Sequence, residues 1–208
     1  MKLSITNPLV SANWLYENLN AENLIVLDAT IAKVGTKNDI KKEKQQITNA
    51  VFFDLKNVFL DKEGEFPNTI PNPKYFEEEV QKLGINQDSC IVVYDDLGVY
   101  SSPRVWWLFK TFGFKNITVL NGGLPVWNQL NYPTEIPKKR NLNLGNFKAN
   151  YQSEKVSSSQ EVLNASMNNN CILDARSEGR FYATAPEPRA DLRGGHIPNS
   201  KSLPYSEL

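Results

Sequence analysis

Cys90-Ile91-Val92-Val93-Tyr94 is an apolar run without a polar break. A strand with water on one face alternates apolar and polar residues, so an unbroken run belongs to a strand buried on both faces. That places it inside a mostly parallel sheet covered by helices. Asp95 to Ser102 then turns. Pro103 opens a helix in which Val105, Trp106, Leu108, Phe109 and Phe112 recur at helical spacing until Gly113 stops it. Strand, short loop and helix aim backbone N–H groups and a positive dipole end at the carboxyl end of the strand, where an anion would sit. This loop holds Asp95 and Asp96 and no nucleophile. Carboxylates there are expected to repel an anion, so the cradle's geometry is present without its chemistry.

The flanking segments repeat the same alternation. Ser11 is placed to cap a helix through Trp14, Leu15 and Leu19. Leu24–Asp28, Ala50–Asp54 and Ile117–Leu120 read as strands. Asn72-Pro73 caps a helix to Leu83 that Gly84 ends, and Asn121-Gly122-Gly123 turns into a helix from Leu124 to Leu130. The polar, lysine-rich stretch 34–46 reads as an exposed loop, and 61–72 as irregular. Strands alternating with helices give an α/β class with a mostly parallel central sheet.

After residue 132 the composition changes. Pro133, Pro137, the basic run Lys138-Lys139-Arg140 and several Asn make 133–155 read as a linker between domains. The chain then starts again. Val10-Ser11 and Leu27-Asp28-Ala29 recur 146 residues later as Val156-Ser157 and Leu173-Asp174-Ala175. Gln46-Ile47-Thr48-Asn49-Ala50 recurs 150 residues later as His196-Ile197-Pro198-Asn199-Ser200. Duplication accounts for this. It divides the chain into a first domain over 1–132 and the incomplete start of a second over 156–208.

Charge narrows the function. Lys plus Arg and Asp plus Glu each number 23, so the net charge is zero and neither nucleic acid nor an anionic membrane surface is an expected partner. No apolar run approaches spanning length, and the N-terminus lacks a signal-peptide core. Two widely spaced cysteines make no disulfide framework and suit a reducing cytoplasm. The single histidine, His196, disfavours histidine metal sites, so neither metal nor cofactor is expected.

Several ordered motifs resemble the tandem-domain rhodanese-like sulfurtransferases that use thiosulfate and 3-mercaptopyruvate. They are Leu27-Asp28-Ala29, Val92-Val93-Tyr94-Asp95, Tyr100-Ser101-Ser102-Pro103-Arg104-Val105-Trp106-Trp107 and Asn121-Gly122-Gly123-Leu124. Leu173-Asp174-Ala175-Arg176, Gly179-Arg180-Phe181, Pro186-Glu187-Pro188-Arg189 and Gly195-His196-Ile197-Pro198 complete the set. The resemblance implies a rhodanese-like domain followed by the first part of another. It implies a reaction in which a cysteine after a strand of the second domain takes sulfane sulfur as a persulfide. That sulfur passes to cyanide, a thiol or a thioredoxin-type acceptor. Asp95–Arg104 matches the inactive loop of the first domain, and the nucleophilic cysteine is expected beyond Leu208. The 208 residues alone are then expected to be inactive.

The residues allow alternatives. Cys90 starts its strand, roughly 15 Å from the cradle at ~3.3 Å per residue, and reads as a buried structural thiol. Cys171, also at a strand start, reads the same way. Arg176, Arg180 and Arg189 could clamp a carboxylate or pair internally with Glu178, Glu187 or Asp191, and composition alone favours internal pairs. The resemblance assigns Arg180 to the donor in both branches of the family and Arg189 to the mercaptopyruvate branch, leaving Arg176 to structure. It also makes His196 a structural hydrogen-bonding residue, with Gln46 as its counterpart. Lys56 and Asn68 stand where the mercaptopyruvate branch often has Asp and His, which puts a proton relay there in doubt. The alternative function is a rhodanese-like module without a nucleophile that binds or regulates a partner.

Overall fold

The computed structural model describes residues 2–32, 44–189 and 192–207. Compact packing divides them into one unit ending at Gln152 and another from Ser153 onward.

In chain order, the first unit contains β1 (Leu9–Val10), α1 (Ala12–Asn18), β2 (Leu24–Asp28), β3 (Gln46–Ile47), β4 (Val51–Phe52), α2 (Pro73–Lys82), β5 (Cys90–Tyr94), α3 (Ser102–Thr111), β6 (Ile117–Leu120), α4 (Gly123–Gln129) and β7 (Thr134–Glu135). Five strands form one sheet in the order β1-β6-β5-β2-β4, all its pairings parallel. All residues of β5 are buried. Because side chains alternate along a strand, Ile91 and Val93 enter one core cluster while Val92 and Tyr94 enter another. The first cluster carries Phe53, Phe76, Phe109, Phe112 and Phe147, and the second Leu15, Leu120 and Trp127. The class read from the alternating segments is the one observed.

Local chemistry fixes the helix ends. Ser11 Oγ accepts from Trp14 N at 3.1 Å, and Asn72 Oδ1 accepts from Lys74 N at 2.9 Å. Gly84 and Gly113 take φ of +73° and +81° directly after α2 and α3. The strand expected over Ala50–Asp54 is shorter, Val51–Phe52, and Phe53 N still donates to Asp28 O of β2 at 2.8 Å. Most of the stretch 34–46 lies outside the described residues, but Gln46, expected in an exposed loop, is buried in β3.

The stretch 133–155 is not a free linker. β7 pairs antiparallel with β3, and Glu135 accepts from Gln46 Nε2 at 3.0 Å, Asn49 N at 2.9 Å and Arg140 Nη2 at 2.6 Å. Burial raises the Glu135 carboxyl, but these hydrogen bonds outweigh it and bring it down to about 2. Further on, Gly145 N donates to Gln81 O, Phe147 is fully buried, and Gln152 N donates to Thr111 O. Prolines and polar residues disguised a stretch that docks through one aromatic ring and backbone hydrogen bonds.

The second unit contains α5 (Ser159–Met167), β8 (Ile172–Asp174), α6 (Glu178–Phe181) and β9 (Ser200–Ser202). Ser158 and Glu161 form a reciprocal capping box on α5. β8 and β9 are parallel, with Leu173 opposite Lys201 and Asp174 opposite Ser202. In the first unit Leu27 faces Val51 and Asp28 faces Phe52. The registers match after the same shifts of 146 and 150 residues that relate the sequences. Asn49 and Asn199 share a left-handed turn, with φ of +66° and +65°.

Cys171, expected to be buried, is exposed, whereas Cys90 is buried. The physical difference is cover. β5 has β2 on one side and β6 on the other, while Cys171 precedes a strand whose one neighbour among the described residues is β9.

Candidate functional site

In the first unit, the loop after β5 is closed around one side chain. Asp95 Oδ2 accepts from Tyr100 N at 2.8 Å, Ser101 N at 3.0 Å, Ser102 N at 2.9 Å and Ser102 Oγ at 2.7 Å. Oδ1 accepts from Leu97 N at 3.0 Å. Burial pushes the Asp95 carboxyl up, but the donors from Ser102, Tyr100 and Leu97 outweigh it and hold it below the ordinary carboxylate range. This corrects the sequence expectation. Asp95 does not repel an anion from the cradle: its own carboxylate is the anion the cradle holds. Asp96 stays outside, and burial with Asp28 and Asp95 nearby raises its carboxyl. Gly123 completes the wall, since a Cβ there would lie 2.4 Å from Asp95 O.

Burial pushes the Cys90 thiol up to about 11, which leaves it protonated and inert at neutral pH. Neither Cys90 nor Cys171 lies at the carboxyl end of a strand.

In the second unit, chemistry gathers after β8. Arg176 donates from Nε to Asp174 at 3.0 Å, from Nη1 to Glu187 Oε1 at 2.9 Å and from Nη2 to Gly195 O at 2.7 Å. Arg180, in α6, donates to Glu187 Oε2 from Nε at 2.9 Å and from Nη2 at 2.6 Å. Glu187 thus bridges two guanidinium groups with a side chain only 3% exposed. Hydrogen bonding to Arg180, with the charge of Arg176, holds its carboxyl below the ordinary range despite partial desolvation. Arg189 lies apart from this clasp, lining an open cavity of about 460 Å³ with Glu187, Leu192 and Gly194. No ion pair of Arg189 occurs among the described residues; Asp191 lies outside them. The structure brings Arg176 and Arg180 together on Glu187, whereas Arg189 shares only a cavity lining with that carboxylate.

His196 Nδ1 lies 2.9 Å from Phe181 O, and its ring stacks on Phe181 with centroids 3.9 Å apart. Gln46 also bonds a backbone carbonyl, Ala50 O at 3.0 Å. A cavity of about 690 Å³ in the second unit is lined by Asp174, Arg176, Arg193, Gly195 and His196. The internal pairing that composition favoured is observed for Arg176 and Arg180, and Glu187, one of the three partners named, takes both.

The Rhodanese-like domain family matches residues 11–130. The 3-mercaptopyruvate sulfurtransferase of Escherichia coli K12 is 35% identical, with 98% of this chain and 73% of that protein aligned. The thiosulfate sulfurtransferase of Bos taurus is 36% identical over 95% of this chain and 69% of that protein. Among solved structures, SseA from Escherichia coli, described with the rhodanese fold of 3-mercaptopyruvate sulfotransferases, superposes with a TM-score of 0.85 and 34% identity. That alignment covers 98% of this chain and 77% of SseA. No helix among the described residues is long and apolar enough to cross a membrane. A parallel sheet with a cradle after its central strand, the ordered motifs and these alignments agree: the chain belongs to the rhodanese-like sulfurtransferases.

Proposed function

We propose that this chain forms the donor-recognising part of a sulfurtransferase that moves sulfane sulfur from 3-mercaptopyruvate or thiosulfate to a thiol, cyanide or a thioredoxin-type acceptor. The carrier is a cysteine persulfide whose cysteine lies beyond Leu208. The observation that carries this reading is the arginine arrangement after β8, in a chain aligned over 98% of its length with a 3-mercaptopyruvate sulfurtransferase. Arg180, held by Glu187, and Arg189, in the neighbouring cavity, are the donor-binding residues. A planar carboxylate suits the guanidinium fork. Matched strand registers support two copies of one domain, the first with its cradle closed by Asp95. Two free thiols fit a reducing cytoplasm.

Thiocyanate formation from cyanide tests the reading. The 208-residue chain is expected to give none. The same chain extended through its downstream coding sequence is expected to be active with 3-mercaptopyruvate preferred. In that extended protein Arg180→Ala lowers kcat/KM for both donors. Arg189→Gly lowers it mainly for 3-mercaptopyruvate, by about one to two decades for one lost charge-assisted contact of ~1.5–3 kcal/mol. Sulfur transfer by the 208-residue chain that is abolished by Cys171→Ser would move the carrier to Cys171. An equal loss for both donors in Arg189→Gly would make that arginine scaffolding.

A further inference from the structure

Lys56 and Arg104 meet at Asn68, and neither has a carboxylate partner among the described residues. Arg104 Nη2 donates to Asn68 O at 2.8 Å. Lys56 Nζ lies at 3.5 Å from Asn68 Oδ1, a long and weak contact. Asn68 takes φ of +62°, a turn that sends its side chain and carbonyl to the two cations. Arg104 is half-buried, stands in the first turn of α3, and stacks on Trp107 with Cζ 4.5 Å from the ring centre. A cation at the positive end of a helix is disfavoured, and a half-buried cation without a counter-ion more so.

Three carboxylates of the adjoining segments are engaged elsewhere. Asp54 accepts from Lys56 N at 3.1 Å and from Asn57 N and Nδ2 at 3.0 and 3.1 Å. Asp61 accepts from Glu63 N, and Asp95 is enclosed by its own loop. Two cations are therefore tethered to one residue by neutral acceptors. A guanidinium fork fixed by a carbonyl and a ring, beside an exposed ammonium, suits an anion with several terminal oxygens.

We propose that Lys56 and Arg104, joined through Asn68, form a binding site for a small doubly charged oxyanion of sulfur or phosphorus. The site uses neither Arg180 nor Arg189, so its failure would leave the donor reading standing. Two-dimensional ¹H–¹⁵N NMR of the 208-residue chain tests it, titrating thiosulfate, sulfate and phosphate at constant ionic strength. Saturable shifts are expected at the Asn68 amide and the Trp107 indole N–H. Tighter binding of thiosulfate and sulfate would assign the site to sulfur oxyanions, and tighter phosphate to phosphates. Lys56→Gln, at an exposed position, is expected to weaken binding about tenfold, and Lys139→Gln to leave it unchanged. Arg104→Lys keeps the charge and loses the fork, and is expected to weaken binding similarly in a protein whose spectrum remains folded. Shifts that never saturate, or the same Kd in Lys56→Gln as in the unaltered chain, would overturn the proposal.

Discussion

Removing the charge of Asp95 while keeping its shape separates two contributions of that side chain. Asp95→Asn retains one acceptor oxygen but turns an NH₂ toward backbone donors. The cost at pH 7 is expected to be about 1–3 kcal/mol, the penalty for buried donors left without an acceptor. The folded carboxyl lies below its unfolded value of about 4, so its stabilisation is complete above that pH and fades as pH falls through the folded value. Urea unfolding from pH 7 to pH 3 should show the two proteins converging on the acid side. A constant gap would mean that charge is not the agent. Thiols give a second residue-scale expectation: iodoacetamide should modify Cys171 in the native protein and reach Cys90 only after unfolding. Mass spectrometry of the native and denatured chain reads this directly. Asp95 was visible in the sequence, but its role was not. Which N–H groups converge depends on the loop's backbone path from Leu97 to Ser102, and no spacing encodes that path. Glu187 was visible too, yet nothing in Pro-Glu-Pro says that one carboxylate serves two arginines.

At the scale of elements, the stretch after residue 132 shows where pattern reading fails. β2, β5 and β6 were legible because buried strands are long apolar runs. β3 and β7 are two residues each, too short for a periodicity, and Ile47 pairs with Thr134 across 87 positions of sequence (134 − 47). Phe147 is a single aromatic among Asn and Lys, and its burial is set by α2 and α3 rather than by its neighbours in sequence. Gly145 is where the stretch comes closest to the rest of the unit. A Cβ there would lie 2.0 Å from Ile85 O, so backbone must move. Gly145→Ala is expected to destabilise by about 1–3 kcal/mol, the range of overpacking. Phe147→Ala is expected to cost about 3–5 kcal/mol, as for a buried aromatic. Chemical denaturation of both variants checks this. A Phe147→Ala protein as stable as the parent would return the stretch to the status of a linker.

For the whole molecule, the offsets of 146 and 150 residues were readable in short motifs, and the matched registers give them a structural meaning. What the motifs did not fix is where the first unit ends. It includes the two-stranded pair of β7 and β3, the Glu135 clasp, Phe147 in the core, and the hydrogen bonds of Asn150 N to Phe112 O and Gln152 N to Thr111 O. A chain cut after Tyr132 loses all of these, whereas one cut after Gln152 keeps them. Residues 1–152 are therefore expected to unfold in one cooperative transition in urea. Residues 1–132 should be less stable by at least ~3 kcal/mol, because losing Phe147 alone opens a buried aromatic site. Circular dichroism and tryptophan fluorescence should report the same midpoint for the longer chain, since Trp127 is fully buried in the second core cluster and Trp106 and Trp107 pack against the first. Equal midpoints for the two fragments would place the boundary back at 132, with 133–152 lying on the unit without supporting it.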